Sequence, residues 1–108
     1  MENTYAFAGA KMTRIIRKYE TWLLNRDRVI VEVLYVGNPF YKDGIMYTFR
    51  CMTEAGEQLF AFENSHGRPH IHRGERKEIV DYGWKTALLK FEEMVDERER
   101  QILEGKIW

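Results

Sequence analysis

The spacing of hydrophobic residues changes near residue 84, and this change most limits what the chain can fold into. Before it, residues 29–36 (VIVEVLYV) are dense in β-branched residues and put Val29, Val31, Val33 and Tyr35 on one face, as in a β-strand. Residues 45–53 (IMYTFRCMT) are interpreted as another strand. After it, apolar residues recur every three or four positions, which is typical of an amphipathic helix. These residues are Ala87, Leu88, Phe91, Met94, Val95 and Ile102. The sequence therefore predicts a sheet followed by one helix.

The remaining strands of the predicted sheet are less regular. Residues 13–24 mix the two spacings, and we interpret them as a first strand. Residues 59–63 (LFAFE) are expected to pair with residues 45–53 through a tight turn at residues 54–57. Ile71 and residues 78–80 suit a short further strand. The prediction is an α+β fold in which a C-terminal amphipathic helix packs on an antiparallel meander of four or five strands.

The ends of the helix are also marked in the sequence. Asp81 lies where a side-chain cap is expected before a helix that begins near Trp84. Gly105 lies where the helix is expected to stop, because glycine readily adopts the left-handed conformation that ends helices.

Length and charge limit the broad class of protein. The 108 residues suit a single α+β domain spanning residues 1–108, with residues 1–10 interpreted as an arm. Lys and Arg together number 17, as do Asp and Glu, so net charge gives no reason to expect nucleic acid or a membrane surface. No apolar run approaches the ~20 residues that cross a bilayer, and no secretion signal is visible. We expect a cytoplasmic protein whose oligomeric state the sequence leaves open.

All three histidines of the chain lie within the segment HGRPHIH. On an extended segment, His70 and His72 point to one side and Ile71 to the other, since successive residues of a strand alternate. A turn at Gly67 can fold His66 back toward them. We therefore predict one catalytic site that contains His66, His70 and His72.

This histidine cluster fits two kinds of chemistry. Imidazole titrates near neutral pH, so two neighbouring histidines can act as general base and general acid in one reaction. Alternatively, His66, His70 and His72 supply three nitrogens that bind a divalent transition metal such as Zn and leave a position for water. A polar loop with solvated histidines is a third interpretation. Our first prediction is the acid–base site, which needs no cofactor.

Positive charge around the histidines indicates what the substrate is. Residues 64–77 carry an excess of three positive charges, and residues 11–28 an excess of four. Guanidinium groups beside imidazoles suit a phosphodiester, and RNA is favoured because its 2′-hydroxyl is an internal nucleophile. The residues predicted to bind substrate are Asn64, Arg68, Arg73, Arg76 and Lys77. Solvation of strand faces is the alternative role for the basic residues at 11–28.

Four residues in or near these motifs also have a structural interpretation. Asn64 is suited to an Asx-turn that orients the loop. Tyr82 and Lys85 follow the histidine motif and fit either a substrate phosphate or capping and packing. Cys51 lies within a hydrophobic strand and is predicted to be a buried, unreactive thiol.

The text FAFENSHGRPHIHRG, followed by a helix with LLKFEEMV, resembles the TumE-like family of small toxins encoded beside helix-turn-helix antitoxins. The resemblance covers roughly residues 45–95. The residues that match the turn, the histidine pair and the helix are Phe62, Glu63, Asn64, His66, Gly67, His70, His72 and Phe91. A second group of small proteins with a P-P-H-F-H-like motif is similar at residues 69–72. Both resemblances imply a toxin–antitoxin context.

The sequence thus yields one functional hypothesis and two rivals. The hypothesis is a toxin that acts as a metal-independent ribonuclease, in which His66 and either His70 or His72 are general base and acid and Arg68 and Arg73 hold the phosphate. RNA would be the substrate and a small helix-turn-helix antitoxin the partner. The rivals are a metal-dependent hydrolase with a three-histidine site and a non-enzymatic module that binds RNA or protein.

Overall fold

The computed structural model describes residues 13–65 and 68–107, which form one antiparallel sheet with one helix packed on it. The strands are β1 (Arg14–Trp22), β2 (Arg28–Tyr35), β3 (Ile45–Met52), β4 (Gln58–Glu63), β5 (His70–Arg73) and β6 (Arg76–Ile79), and the helix is α1 (Trp84–Leu103). Each strand pairs with the next in the chain. The predicted α+β meander is confirmed, whereas residues 1–10, interpreted as an arm, lie outside the described residues.

The sheet has six strands, one more than the upper limit predicted. The additional strand arises because Ile71 and residues 78–79 belong to two strands, β5 and β6, joined by a tight turn. Gly74 begins this turn with a φ of 61°, a conformation that glycine adopts without steric cost. All four residues of β6 are exposed, so the strand has no alternation of buried and exposed side chains by which the sequence could reveal it.

One face of the sheet is buried beneath α1, which packs across β3 and β4. Phe91 of the helix is fully buried, and its ring lies 5.7 Å from that of Phe49, 5.6 Å from that of Phe60 and 6.1 Å from that of Phe62, measured between centroids. Val31 and the other inward residues of β2 complete this core. Cys51 is fully buried in the same layer, as predicted, and burial raises the pKa of its thiol to about 11.

The two ends of α1 differ in how their backbone groups are satisfied. The prediction that Asp81 caps the helix is wrong: Gly83 occupies the N-cap position, and no side chain there accepts a hydrogen bond from the first turn. The prediction for Gly105 is confirmed, since it has a φ of 75° and donates to the carbonyl of Ile102. Lys106 donates to the carbonyl of Gln101, which completes a Schellman motif.

Two side-chain contacts join α1 to the edge of the sheet formed by β1 and the β1–β2 turn. The Tyr19 hydroxyl donates to Glu92 at 3.0 Å, and burial, helped by that carboxylate, raises the pKa of Tyr19 to about 12. Arg98 forms a hydrogen-bonded ion pair with the buried carboxylate of Asp27. These contacts fix the helix across the sheet. Within the described residues, no helix is both long and apolar enough to span a bilayer.

Candidate functional site

Strand pairing brings Glu63, His70 and His72 together on the face of the sheet that α1 does not cover. Glu63 is the last residue of β4 and lies directly opposite His70 of β5. Between the two histidines, Ile71 points into the core beneath α1 and is only 2% exposed. Because side chains alternate along a strand, both imidazoles therefore point to the opposite face, as the sequence predicted.

Both imidazoles lie within ion-pair distance of the Glu63 carboxylate, and we call the three side chains the Glu63 cluster. One carboxylate oxygen of Glu63, Oε2, lies 3.0 Å from Nε2 of His72 and 3.5 Å from Nε2 of His70. The other, Oε1, accepts a hydrogen bond of 2.7 Å from the Ser65 hydroxyl. The two imidazole rings meet edge to face, with centroids 4.7 Å apart. The carboxylate is thus held at both oxygens.

A hydrogen bond to the backbone orients the imidazole ring of His70. Nδ1 of His70 is 2.9 Å from the carbonyl oxygen of Arg68, which can only accept, so this nitrogen carries a proton. In neutral His70 the lone pair of Nε2 would then face the Glu63 carboxylate. The Arg68 carbonyl thus sets which nitrogen of His70 faces Glu63.

The carboxyl group of Glu63 is ionised in this setting. Its burial acts to raise the pKa, but the Ser65 hydrogen bond and the positive charges of His70, His72 and Arg50 outweigh burial and lower the pKa below its usual value of 4.5. The side chains of the cluster differ in access: those of His70, Glu63 and His72 are 5%, 12% and 27% exposed. His72 is therefore the member that a substrate reaches most directly.

Asn64 holds the end of β4 in place and does not face the imidazoles. Its side-chain oxygen accepts from the backbone N–H of Tyr47 at 2.8 Å, and its side-chain nitrogen donates to the carbonyl of Ile45 at 2.9 Å. The next residue, Ser65, is anchored through its carbonyl, which accepts from the Tyr41 hydroxyl at 2.8 Å. These contacts anchor the end of β4 to β3, so the Asx-turn that the sequence predicted for Asn64 is wrong, as is its predicted role in substrate binding beside the histidines.

The cationic residues expected to bind substrate do not all lie beside the histidines. Lys77 lies opposite His72 on the neighbouring strand β6 and shares its face. Arg73 and Arg76 pair with each other one residue further along, so alternation places them on the α1 side of the sheet. Arg68 is exposed in the loop, and its backbone carbonyl contacts His70.

The two basic segments lie at opposite edges of the sheet. Residues 14–28 form β1, the turn that follows and the first residue of β2, whereas residues 70–77 form β5 and the first half of β6. With five strand spacings of ~4.8 Å, these edges are about 24 Å apart. In the first segment, Arg26 pairs with Glu54, Arg28 with Glu20, and Lys18 with Glu32. The two segments therefore do not form one basic groove.

Two neighbours of the histidines were not among the predicted site residues. Glu63 follows Phe60 and Phe62 in an alternating strand, so its outward direction was visible in the sequence, but its pairing with His70 was not. Arg50 lies on the same face, across Ala61 from His72. The proximity of Arg50 to His72 follows only from the register of β3, β4 and β5. His66, the third predicted histidine, lies outside the described residues.

The Glu63 cluster also has the composition of a metal site. Its three candidate ligand atoms, one from each of Glu63, His70 and His72, all lie within 4.8 Å of one another. Two imidazoles and one carboxylate are a known ligand set for divalent transition metals. A hydrogen bond from Nδ1 to a backbone carbonyl, as His70 makes to Arg68, is also how metal-binding histidines are oriented. This ligand set differs from the alternative three-histidine set of the sequence analysis in containing the Glu63 carboxylate.

Comparison of the chain with protein-family models, with curated proteins and with solved structures finds no match. The chemistry of the Glu63 cluster and its position on the open face of the sheet therefore carry the functional argument.

Proposed function

We propose that this protein is a metal-independent ribonuclease whose general base is in the Glu63 cluster. The observation that carries the proposal is the contact of Glu63 Oε2 with Nε2 of both His70 and His72 on the open face of the sheet. A buried carboxylate that orients an accessible imidazole is the arrangement by which enzymes make histidine a proton-transfer group.

The role of each group in the reaction follows from how exposed its side chain is. His72, supported by Glu63, takes the proton of the 2′-hydroxyl, and the resulting oxygen attacks the adjacent phosphorus. The bond from phosphorus to the 5′-oxygen breaks, and that oxygen receives a proton from a general acid, for which His66 is the candidate. The products are a 2′,3′-cyclic phosphate and a free 5′-hydroxyl. His70 is a positioning residue, because its nearly buried ring holds Glu63 rather than facing substrate.

Positive charge near His72 supports an anionic polymer as substrate. Arg50 and Lys77 share the face of the sheet with His72 and lie on the strands to either side of β4 and β5. Exposed Arg68 lies in the loop just before β5. Guanidinium groups hold phosphate oxygens through two parallel hydrogen bonds and stabilise charge that develops on phosphorus.

The test is cleavage of a short RNA by the purified protein in the presence of a chelator. We expect His72→Ala to lower the rate by about 10² or more, and an RNA with a single 2′-deoxy nucleotide at the cleaved position to resist cleavage. His66→Ala tests the general acid in the same assay. Glu57→Gln, which changes an exposed glutamate outside the cluster, is the control and should cleave at the normal rate.

Two results would contradict this function. The first is full cleavage by a variant in which His66, His70 and His72 are all alanine, since no proton-transfer group of the site would remain. The second is cleavage of the 2′-deoxy RNA at the normal rate, because the 2′-hydroxyl would then not be the nucleophile. Circular dichroism of each variant separates loss of chemistry from loss of fold.

The ligand geometry of the Glu63 cluster favours a metal-dependent hydrolase as the second candidate. Glu63, His70 and His72 would hold a divalent transition metal, which would supply an activated water as nucleophile. Metal analysis of the purified protein and titration with Zn, Ni and Fe(II) test this candidate. It is supported if activity is lost on chelation and restored by one metal, and contradicted if chelation leaves cleavage unchanged.

The proposal also includes a toxin role, which concerns a partner protein rather than the reaction. The family resemblance implies a helix-turn-helix antitoxin encoded beside this chain. Such an antitoxin would neutralise the toxin by covering the open face of the sheet around His72. Co-expression with the neighbouring reading frame tests this, since a true antitoxin restores growth and co-purifies with the toxin.

A further inference from the structure

The two edges of the sheet differ in how open they are to pairing with another strand. Strand β6 has four residues, three of them charged, and such short, charged edges resist further pairing. Strand β1 has nine residues, and the exposed apolar side chains of Ile15, Ile16 and Trp22 lie along it. Within residues 13–65 and 68–107, β2 is its one neighbouring strand. The β1 edge therefore has the length and the apolar surface to pair with a further strand.

The backbone of β1 presents hydrogen-bonding groups on the side away from β2. Just after the strand, the N–H of Leu23 donates to the carbonyl of Asp27 at 2.8 Å, which is the direction of β2. Neighbouring residues of an antiparallel strand direct their backbone groups to opposite sides, so those of Trp22, Glu20 and Lys18 point outward. Eight of the nine residues of β1 are exposed, so nothing in the described part of the chain covers this side.

The side chains of Lys18 and Glu20 make β1 complementary to a second copy of itself. Both lie on the open face of the sheet, because they alternate with Tyr19, which contacts α1. When two β1 strands run antiparallel about a twofold axis at Tyr19, Lys18 of each copy lies directly opposite Glu20 of the other. Within each chain, Lys18 pairs with Glu32 and Glu20 with Arg28. The charges that meet across the axis therefore alternate in sign.

Side-chain pairing favours this register over its neighbours. A shift of two residues in either direction would place Lys18 opposite Lys18 or Glu20 opposite Glu20, and like charges at directly opposed positions destabilise a strand pair. The same register brings Ile16 of each copy opposite Trp22 of the other, and these side chains are 44% and 59% exposed in the single chain. Because the backbone groups of Lys18 and Glu20 point outward, these two residues can also exchange backbone hydrogen bonds across the axis.

We infer that this protein forms a symmetric dimer in which the β1 strands of two copies pair antiparallel, with Lys18 of each opposite Glu20 of the other. The two sheets then form one continuous sheet, and both Glu63 clusters lie on the same side of it. The inference does not depend on the ribonuclease activity, because β1 lies four strand spacings from β5, which carries His72.

The test is the molar mass of the full chain in solution, measured by sedimentation velocity between about 1 μM and about 1 mM. We expect the mass to rise from that of one copy to that of two across this range, because an interface made by one strand is small. Lys77→Glu, which reverses a charge on the other edge strand, is the control and should dimerise like the wild type.

Charge reversal tests the register itself. Lys18→Glu brings glutamates face to face across the axis, and Glu20→Lys brings lysines face to face, so each variant alone should dimerise at least about tenfold more weakly. An equimolar mixture restores opposite charges at both positions. The mixture should therefore sediment as a dimer at concentrations where each variant alone is a monomer.

Three results would overturn the inference. The first is a full chain that stays monomeric up to about 1 mM, as expected if another segment or another protein pairs with β1. The second is a dimer that neither charge reversal weakens, because its interface would then lie elsewhere. The third is a mixture of the two variants that stays monomeric, since Lys18 and Glu20 would then not be opposed.

Discussion

At the scale of single residues, Glu63 organises the site because each of its oxygens has a defined partner. Ser65 holds Oε1, and the two imidazoles share Oε2. The carboxylate therefore faces both rings at once. If it is neutralised, two imidazoles with centroids 4.7 Å apart lose their common anion. The acid stability of the protein should depend on this residue.

The first prediction concerns that acid dependence. Because the pKa of Glu63 is lower in the folded protein than its usual 4.5, its ionised form stabilises the fold fully above pH 4.5. That contribution is lost as the pH falls through the lowered pKa. Urea unfolding between about pH 6 and about pH 3 should show a steeper loss of stability for the wild type than for Glu63→Gln. Equal slopes for the two proteins would contradict the prediction.

Asn64 gives a second prediction at this scale. Asn64→Ala removes both side-chain hydrogen bonds and leaves the N–H of Tyr47 and the carbonyl of Ile45 unpaired in a buried region. We expect a loss of about 2–4 kcal/mol in the free energy of unfolding, measured with urea. Asn38→Ala is the control, because Asn38 accepts a similar backbone bond from exposed Phe40 and should cost less than about 1 kcal/mol.

At the scale of elements, α1 is stabilised by packing rather than by its own caps. Its N-terminus has no side-chain cap, and its exposed face is mostly charged. The helix is held by Phe91 against three phenylalanine rings of β3 and β4, and at the sheet edge by the Asp27 and Glu92 contacts. Phe91 should therefore contribute much of the free energy that holds α1 on the sheet.

The third prediction tests that attachment. Phe91→Ala removes a fully buried ring, and we expect a loss of about 3–5 kcal/mol in the free energy of unfolding. Leu89→Ala, on the same helix at a side chain that is 60% exposed, should change stability by less than about 0.5 kcal/mol. Similar losses for both variants, measured by chemical denaturation, would mean that α1 does not pack as described.

At the scale of the whole molecule, the sheet places the two basic segments of the chain at opposite edges. Lys18 of β1 and Lys77 of β6 both lie on the face of the Glu63 cluster, but only Lys77 is next to His72. Lys18 pairs with Glu32 at 3.5 Å, near the other edge. If RNA is cleaved at His72, these two lysines should contribute unequally.

The fourth prediction compares them. Lys77→Gln should weaken RNA binding several-fold and lower the slope of log affinity against log salt by about 0.7, as expected for one lost contact to a single-stranded phosphate backbone. Lys18→Gln should leave both quantities unchanged. Binding of a non-cleavable 2′-deoxy substrate, measured at several salt concentrations, gives both values. Equal effects would place the RNA elsewhere on the sheet.

The fifth prediction concerns the cell. Expression of the chain in a bacterium should arrest growth if it is a ribonuclease toxin, and the variant with alanine in place of His66, His70 and His72 should not arrest it. The measurement is growth after induction, with soluble expression of both proteins checked in parallel. Growth arrest by the variant at equal expression would contradict the prediction, because toxicity would then not depend on the imidazoles.

The sequence by itself determined the elements and the direction of their side chains. Alternation in residues 29–36 and 45–53 and helical spacing from Trp84 onward are local consequences of burying one face, so the α+β meander was predictable. The same alternation placed His70 and His72 on one side. The sequence indicated a short strand that included residues 78–80 but did not separate β5 from β6, because β6 has no buried face to mark it.

Only the tertiary structure decided which side chains became neighbours. The pairing of β4 with β5 brings Glu63 to both imidazoles, and the register across β3 adds Arg50 to the same face. The packing of α1 leaves Tyr47 buried beside an uncapped helix start. These contacts depend on strand register and helix placement, which are set by the fit of the whole core rather than by any local pattern of residues.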